Sequence, residues 1–157
     1  MQKVFHRRFS TELGELELSA TSDALIGLEF VSPGHVAPNS DTPALLVTAE
    51  REIRSYLAGT RHSFTIPLDL SAGTAFQQEV WRGLQDIAYG ETVSYSELAC
   101  RVGRPRAARA IGNANHANPI SIIVPCHRVI AADGSLGGYG GGLWRKEFLL
   151  ELERSHH

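Results

Sequence analysis

The hydrophobic pattern of the chain changes at residues 71–73, Ser-Ala-Gly, and this change constrains the fold more than any other feature. Before it, apolar and polar residues alternate, as in Glu-Leu-Glu-Leu at 15–18, which is typical of half-buried strands. After it, apolar residues recur every three or four positions, as in helices. The pattern predicts an α+β protein with one domain at 1–72 and a second at 73–157.

The first domain is predicted to be an antiparallel sheet with one helix. Strands are expected at 4–9, around 16–18, at 24–31 and at 63–70, with a hairpin turn at 11–14 and a Pro/Gly/Asn/Ser loop at 32–42. A helix is expected from Leu45 to Leu57, because its apolar residues share one face, and Gly59 is a stop signal. No constellation of polar residues in this half indicates chemistry.

The second domain opens on a helix-start signal. Thr74-Ala-Phe-Gln77 has the capping-box pattern, in which Thr accepts a hydrogen bond from the backbone and Gln accepts one in return. The helix that follows is expected to end near Gly90. Its predicted inward face consists of Phe76, Val80, Trp81, Leu84 and Ile87.

Two shorter helices are predicted next, and they form a helix-turn-helix arrangement. The first begins at a second capping box, Ser94-Tyr-Ser-Glu97, and ends by Gly103. Pro105 is expected in the first turn of the second helix, the position that proline tolerates best. That helix is rich in Ala and Gly, which permits close approach to another helix or to a DNA groove. It is expected to carry Arg106, Arg109, Asn113 and His116.

The basic side chains are unevenly distributed, although the net charge is −2. Arg101, Arg104, Arg106 and Arg109 lie in a stretch that contains no Asp or Glu. Such a patch can bind phosphate even on a nearly neutral chain. On charge alone, a solvated helix face is the favoured explanation of the patch.

Composition excludes several classes of protein. With 43% apolar and 20% charged residues, the chain is neither disordered nor collagen-like. Two cysteines are too few for a disulfide framework, and the longest apolar run, at 120–124, is too short to cross a bilayer. The first residues lack the apolar centre of a signal peptide, so we expect a cytoplasmic protein. Residues 154–157, Arg-Ser-His-His, are interpreted as the remainder of an affinity tag.

Cys126 is the candidate nucleophile. An apolar run and Pro125 precede it, and His127 follows. Burial in apolar surroundings raises the pKa of a thiol and makes it inert, so reactivity requires a base such as an imidazole held by a carboxylate. The Cys-His pair alone is equally compatible with a buried structural cysteine.

The run Pro-Cys-His-Arg-Val at 125–129 resembles the active-site motif of the O6-alkylguanine-DNA alkyltransferases, the methylated-DNA–protein-cysteine methyltransferases. The likeness extends from 74 to 153 and includes Gly-Glu-Thr-Val-Ser-Tyr at 90–95, Ala-Ala-Arg-Ala-Ile-Gly at 107–112 and Gly-Gly-Tyr-Gly-Gly-Gly-Leu at 137–143. It implies a ribonuclease H-like first domain and repair of O6-alkylguanine, and of O4-alkylthymine, in duplex DNA. The base would be flipped out and the alkyl group passed irreversibly to the protein's own cysteine, with no cofactor.

The resemblance also implies a role for each matching residue. Cys126 would accept the alkyl group, His127 would act as its base through a water, and Glu153 would orient His127. Asn118 would brace the motif, and Tyr95 would donate to the flipped base and rotate the target phosphate. Arg109 would fill the gap left in the base stack. Further DNA contacts are expected from Arg104, Arg106, Ala107 and Arg128, and a base pocket from Tyr139, Gly140, Val129 and Pro125.

The chain departs from the family pattern at Gly140, where many members have Ser, so a hydrogen bond to guanine O6 there would have to come from the backbone. No structural zinc is expected, because both cysteines lie beyond residue 99 and His6, His35 and His62 lack ligand spacing. Cys100 is interpreted as structural. The expected partner is double-stranded DNA and no membrane, bound by a protein that is monomeric in solution, with cooperativity on DNA left open.

Three other functions are compatible with parts of the sequence. An alkyltransferase-like lesion sensor would lack the acceptor cysteine, whereas this chain keeps Cys126. A helix-turn-helix regulator would need base-reading Asn or Gln at the start of its second helix, where this chain has Pro-Arg-Ala-Ala. A cysteine hydrolase would need an oxyanion hole, which the sequence does not identify.

Overall fold

The computed structural model describes residues 3–32 and 42–157, so His35 and most of the loop predicted at 32–42 lie outside the described residues. The chain divides into two units, Met1–Asp69 and Leu70–His157. Within the described ranges, none of the helices combines the length and the apolar character that crossing a bilayer requires.

The first unit is built on an antiparallel sheet of β1 (Phe5–Thr11), β2 (Gly14–Ala20) and β3 (Leu25–Val31). β2 is the central strand, and its leucines Leu16 and Leu18 are fully buried while Glu15 and Glu17, which alternate with them, face the other way. A helix, α1 (Ala44–Leu57), packs against β1 and β2. The predicted sheet and helix are confirmed.

The strand predicted at 63–70 does not form, except for a single bridge from Leu68 to β3. Pro67 has no N–H to contribute to a ladder. The N–H of Thr65 donates instead to the buried carboxylate of Glu52, at 2.9 Å. The Glu52 side chain therefore takes the backbone hydrogen bond that a neighbouring strand would have accepted.

The second unit consists of helices and one short parallel strand pair. Its elements are α2 (Ala75–Gln85), β4 (Val93–Ser94), α3 (Tyr95–Arg101), α4 (Ala108–His116), β5 (Val129–Ile130) and α5 (Leu143–Ser155), with β4 paired to β5. α3 and α4 contact each other and form the predicted helix-turn-helix. Arg154 and Ser155, interpreted as part of a tag, continue α5 without a break.

The two capping boxes differ in the structure. At Thr74 both hydrogen bonds form, with the Gln77 N–H donating to Thr74 Oγ1 at 3.1 Å and the Thr74 N–H donating to Gln77 Oε1 at 3.0 Å. At Ser94 the hydroxyl accepts from the Glu97 N–H at 3.0 Å, but the Glu97 carboxylate pairs with Arg101. The capping box at Thr74 is confirmed, whereas only one of the two hydrogen bonds forms at Ser94.

The prediction that Pro105 opens the second helix of the pair is wrong. Residues 104–107 close a turn of their own, in which the Ala107 N–H donates to the Arg104 carbonyl at 3.0 Å. α4 begins only after that turn, at Ala108. Arg106 consequently lies in the turn and not on the helix.

One face of α4 is fixed against the rest of the second unit. Trp81 Nε1 donates to the carbonyl of Ala114 at 2.8 Å, and Ile111 is fully buried. Ala114, a small residue of α4, is itself buried, so the α4 backbone lies close to Trp81. The small residues of α4 thus serve helix packing on one face, while Arg109 is exposed.

Candidate active site and DNA-facing helix

The segment before Cys126 is shaped by the side chain of Asn118. Its Oδ1 accepts the Ile120 N–H at 3.0 Å, and its Nδ2 donates to the Val124 carbonyl at 2.7 Å. Between these two bonds the buried Ile122 has φ +72°, which is strained for a β-branched residue. The amide therefore holds a backbone course that the chain would not adopt by itself, as a bracing role for Asn118 requires.

Cys126 begins a single 3₁₀ turn, Cys126–Arg128, and is buried. Burial raises the pKa of its thiol, and a hydrogen bond with the Asn118 side chain and the charge of Lys146 oppose that rise. The thiol is therefore held mainly in its protonated, poorly nucleophilic form. Chemistry at this sulfur requires a base.

His127 and Glu153 form a buried pair. His127 Nε2 lies 2.7 Å from Glu153 Oε2, and the side chains are 0% and 1% exposed. Burial lowers the pKa of His127, although the Glu153 carboxylate opposes this, so the imidazole is neutral near pH 7. A carboxylate can only accept a hydrogen bond, so Nε2 carries the proton and Nδ1 is the basic nitrogen.

Glu153 is held by more than His127. Its carboxylate accepts two hydrogen bonds from Arg128, at 2.8 and 2.9 Å, and one from the Gly90 N–H at 3.1 Å. Burial opposes ionisation, but the hydrogen bonds from His127 and Arg128 hold the pKa of Glu153 well below its usual range. The carboxylate is thus ionised at every pH at which the protein works.

The expectation that Arg128 contacts DNA needs correction. Its side chain is 8% exposed, and besides the two bonds to Glu153 it donates to the Ile87 carbonyl at 2.7 Å. A guanidinium engaged on both sides in the interior is not placed to meet a phosphate. Arg128 instead binds the carboxylate that contacts His127.

Tyr95 lies between α4 and the glycine-rich loop 137–142. A Cβ on Gly137 would lie 3.0 Å from the Tyr95 hydroxyl, and one on Gly112 would lie 3.7 Å from its ring. Burial raises the pKa of Tyr95, while a hydrogen bond with the Gly138 backbone lowers it. The hydroxyl therefore keeps its proton and can serve as a donor.

The residues expected to form a base pocket are distributed around Cys126. Tyr139 and Gly140 lie in the glycine-rich loop, whereas Pro125 and Val129 flank the 3₁₀ turn and are buried. Burial raises the pKa of Tyr139 well above its usual range, an ionised Cys126 would raise it further, and a hydrogen bond with the Ser121 side chain opposes the rise. The Tyr139 hydroxyl therefore keeps its proton.

Lys146 is a residue of this site that sequence reasoning missed. It lies on α5 with 0% exposure, and its Nζ donates to the carbonyls of Val129, at 2.6 Å, and Gly138, at 3.2 Å. These bonds connect the strand after Cys126 with the glycine-rich loop. The available signal was the position of Lys146, three residues before Leu149 and seven before Glu153, on the buried face of α5.

Replacing Lys146 by Met should remove a pH-dependent part of the stability. Burial lowers the pKa of Lys146 from 10.5 to about 8. Between those values the unfolded chain binds a proton that the folded protein does not, so stability from this group rises with pH, by at most about 1.4 kcal/mol per unit. In urea unfolding, the free energy of unfolding of Lys146→Met relative to that of the wild type should therefore be lower at pH 9.5 than at pH 7.5. Lys3→Met, at an exposed lysine, is the control, and an equal pH response of all three proteins would contradict the prediction.

Two arginines of the basic patch form salt bridges and two are exposed without one among the described residues. Arg101 is bound to Glu91 and Glu97, each at 2.9 Å. Arg104 is bound to Glu79 at 2.9 Å. Arg106 and Arg109 are exposed and form no salt bridge with any residue of the described ranges. Ala107, at the N-cap of α4, lies between them in sequence.

No group of three or more His, Cys, Asp or Glu side chains within 3–32 and 42–157 is arranged to hold a metal ion. Cys100, interpreted as structural, is exposed.

Comparisons with known proteins cover almost the whole chain. The family described as 6-O-methylguanine DNA methyltransferase, DNA binding domain, matches residues 75–155, and the ribonuclease-like domain of the same proteins matches residues 4–70. A methylated-DNA–protein-cysteine methyltransferase of Mycolicibacterium paratuberculosis is 46% identical, over 98% of this chain and 94% of the relative. One from Methanosarcina acetivorans is 42% identical, over 97% and 99%.

Solved structures agree with this assignment. Mycobacterium tuberculosis OGT in complex with DNA has a TM-score of 0.88 and 45% identity, over 97% of this chain and 94% of that one. An O6-methylguanine-DNA methyltransferase from Pyrococcus kodakaraensis, at 23% identity and a TM-score of 0.69, shares the fold. With both domain models matched in order, and with relatives above 40% identity along nearly their full length, this chain belongs to the methylated-DNA–protein-cysteine methyltransferase family.

Proposed function

We propose that the protein repairs duplex DNA by transferring the alkyl group of O6-alkylguanine, and of O4-alkylthymine, to Cys126. The observation that carries the proposal is the buried thiol followed by the His127–Glu153 pair, in a chain of this family. The DNA complex of the Mycobacterium tuberculosis relative supports DNA as the partner.

The transfer is a displacement at the alkyl carbon. The thiol proton passes through a water to Nδ1 of His127, and the thiolate sulfur bonds to the alkyl carbon as the bond from that carbon to O6 breaks. The electron pair of the broken bond stays on the guanine, which then regains a proton. Glu153 stabilises the imidazolium, and the Tyr95 hydroxyl donates to the base as charge develops on it.

A base in the stack cannot be reached by a buried sulfur, so the nucleotide must leave the duplex. Extrusion costs a few kcal/mol, and less when pairing is already weakened by damage. The exposed Arg109 on the slender helix α4 supports insertion into the groove, where it would fill the vacated position. The thioether product is chemically stable, so each molecule acts once.

Intact-mass analysis tests the proposal. After incubation with a duplex carrying one O6-methylguanine, the protein should gain one methyl group, mapped to Cys126, and the oligonucleotide should regain guanine. An unchanged protein mass with unrepaired DNA would overturn the proposed activity. Methylation of the protein without restoration of guanine in the oligonucleotide would show that the methyl group came from an atom other than guanine O6.

Arg109→Ala should slow repair of duplex DNA far more than reaction with a free O6-alkylguanine base. Only the duplex requires the vacated position in the stack to be filled, and filling it is worth about 5–150-fold in rate if it supplies about 1–3 kcal/mol. Arg106→Ala is the matched comparison: as a phosphate contact, it should weaken binding and reduce the salt dependence of affinity by about one charge. Its repair rate should recover at saturating DNA. Equal losses on both substrates for Arg109→Ala would assign that residue a different role.

A further inference from the structure

His116, the last residue of α4, is held at the edge of the Cys126 site from both sides. The preceding Asn115 is buried, and its Nδ2 lies 3.5 Å from the Cys126 carbonyl. Two residues later, Asn118 donates to the Val124 carbonyl at 2.7 Å. His116 itself is exposed, so its position is fixed while its ring stays open to an arriving molecule.

The ring of His116 borders the space that the missing side chain of Gly140 leaves. A Cβ at position 140 would lie 3.6 Å from Cε1 of His116, at ordinary contact distance. Apart from the glycine's own chain neighbours, no other described atom lies within 4 Å of that point. The imidazole therefore forms the boundary there that a residue at 140 does not supply.

The loop that carries Gly140 is bound to the segment that follows the cysteine. Lys146 Nζ donates to the carbonyl of Gly138, two residues before Gly140, and to that of Val129, three residues after Cys126. The glycine-rich loop is thus held to the Cys126 segment at Gly138 and lies at contact distance from the end of α4 at Gly140.

We infer that His116 is a specificity-determining residue, because its imidazole forms the wall against which the O6 substituent packs and so limits the size of the alkyl group. The inference rests on the proposed function and adds to it a preference for small alkyl groups over bulky ones. Glycine at 140 leaves the loop without a side chain of its own, so the wall is contributed by α4. A pocket that lacks this wall would accept a benzyl group more readily.

The test compares single-turnover rate constants for duplexes that carry O6-methylguanine or O6-benzylguanine. His116→Ala should raise the benzyl-to-methyl ratio of rate constants by about tenfold, within the range that pocket volume supplies. His116→Phe keeps a ring of similar size and should leave the ratio near that of the wild type. Asn113→Ala, an exposed residue one turn earlier on α4, should also leave it unchanged.

A ratio for His116→Ala within about twofold of the wild type would overturn the inference while leaving the proposed function intact. A raised ratio in both His116→Ala and His116→Phe would also overturn it, because the chemistry of imidazole rather than its volume would then be responsible. If the wild type gains neither a methyl nor a benzyl group, it is the proposed function that fails.

Discussion

Cys126→Ser should abolish alkyl transfer and leave DNA binding intact. A serine hydroxyl is a far weaker nucleophile at neutral pH than a base-assisted thiol. The substitution is close to isosteric. Because residue 126 lies outside α4, it leaves the exposed face of that helix unchanged. Single-turnover assays with O6-methylguanine duplex should show a loss of at least about 10³-fold, because the covalent step itself is removed. Affinity for the same duplex, measured by fluorescence anisotropy, should change by less than about twofold.

Cys100→Ser provides the matched control, since Cys100 is the other cysteine of the chain and is exposed. It should repair DNA at the wild-type rate. Transfer retained in Cys126→Ser but lost in Cys100→Ser would assign the reaction to Cys100 on α3 and refute the proposed site. Loss of DNA binding in Cys126→Ser would show that the segment had refolded, and the anisotropy measurement detects this directly.

Glu153→Gln should impair both stability and repair. The neutral amide leaves the buried guanidinium of Arg128 without its counter-charge, a change that typically costs about 3–5 kcal/mol. It also removes the charge that would stabilise the His127 imidazolium, which should slow transfer by about 10²-fold. Urea unfolding and single-turnover assays at pH 7.5 measure the two effects separately.

The stability difference should depend on pH. The folded pKa of Glu153 is lowered, so its contribution is complete above the unfolded value near 4.5 and is lost as the pH falls below that. Wild type and Glu153→Gln should therefore converge in acid. Glu151→Gln is the control, since Glu151 is an exposed glutamate on the same helix that contacts Arg154 and Ser155. An unchanged transfer rate in Glu153→Gln would remove Glu153 from the mechanism.

The elements that the sequence predicts well are those with a local cause. The alternation around Leu16 and the capping box at Thr74 each depend on neighbouring residues alone, and both appear in the structure. The strand at 63–70 does not form, because a carboxylate 13 positions away satisfies the backbone, and such a partner is not visible in a short window of sequence. The helix start at Pro105 is wrong for a local reason: proline suits a turn as well as a first helical turn, and residues 104–107 form the turn.

The same distinction applies to the site. Cys126, His127 and Glu153 were expected from the resemblance, and the structure brings His127 and Glu153 together across 26 positions. The role of Arg128 was misjudged, because an arginine in a basic motif is usually exposed and nothing local shows that Glu153 takes up its charge. Lys146 was missed for the related reason that its acceptors, at Val129 and Gly138, are backbone carbonyls, which any residue type can provide.

The ion pair of Glu153 with Arg128 has a consequence for how the thiol is kept until it is needed. Because the guanidinium already balances the carboxylate, the His127 imidazole bound to Glu153 meets little excess negative charge, and burial keeps it neutral. The resting sulfur is thus a protonated thiol in a closed site, a poor target for peroxide or for stray electrophiles in solution. Under the proposed single turnover, every Cys126 thiol that is oxidised before the protein meets damaged DNA is a repair event lost. The buried charges of Glu153 and Arg128 therefore affect both how long the thiol stays unoxidised and how it reacts.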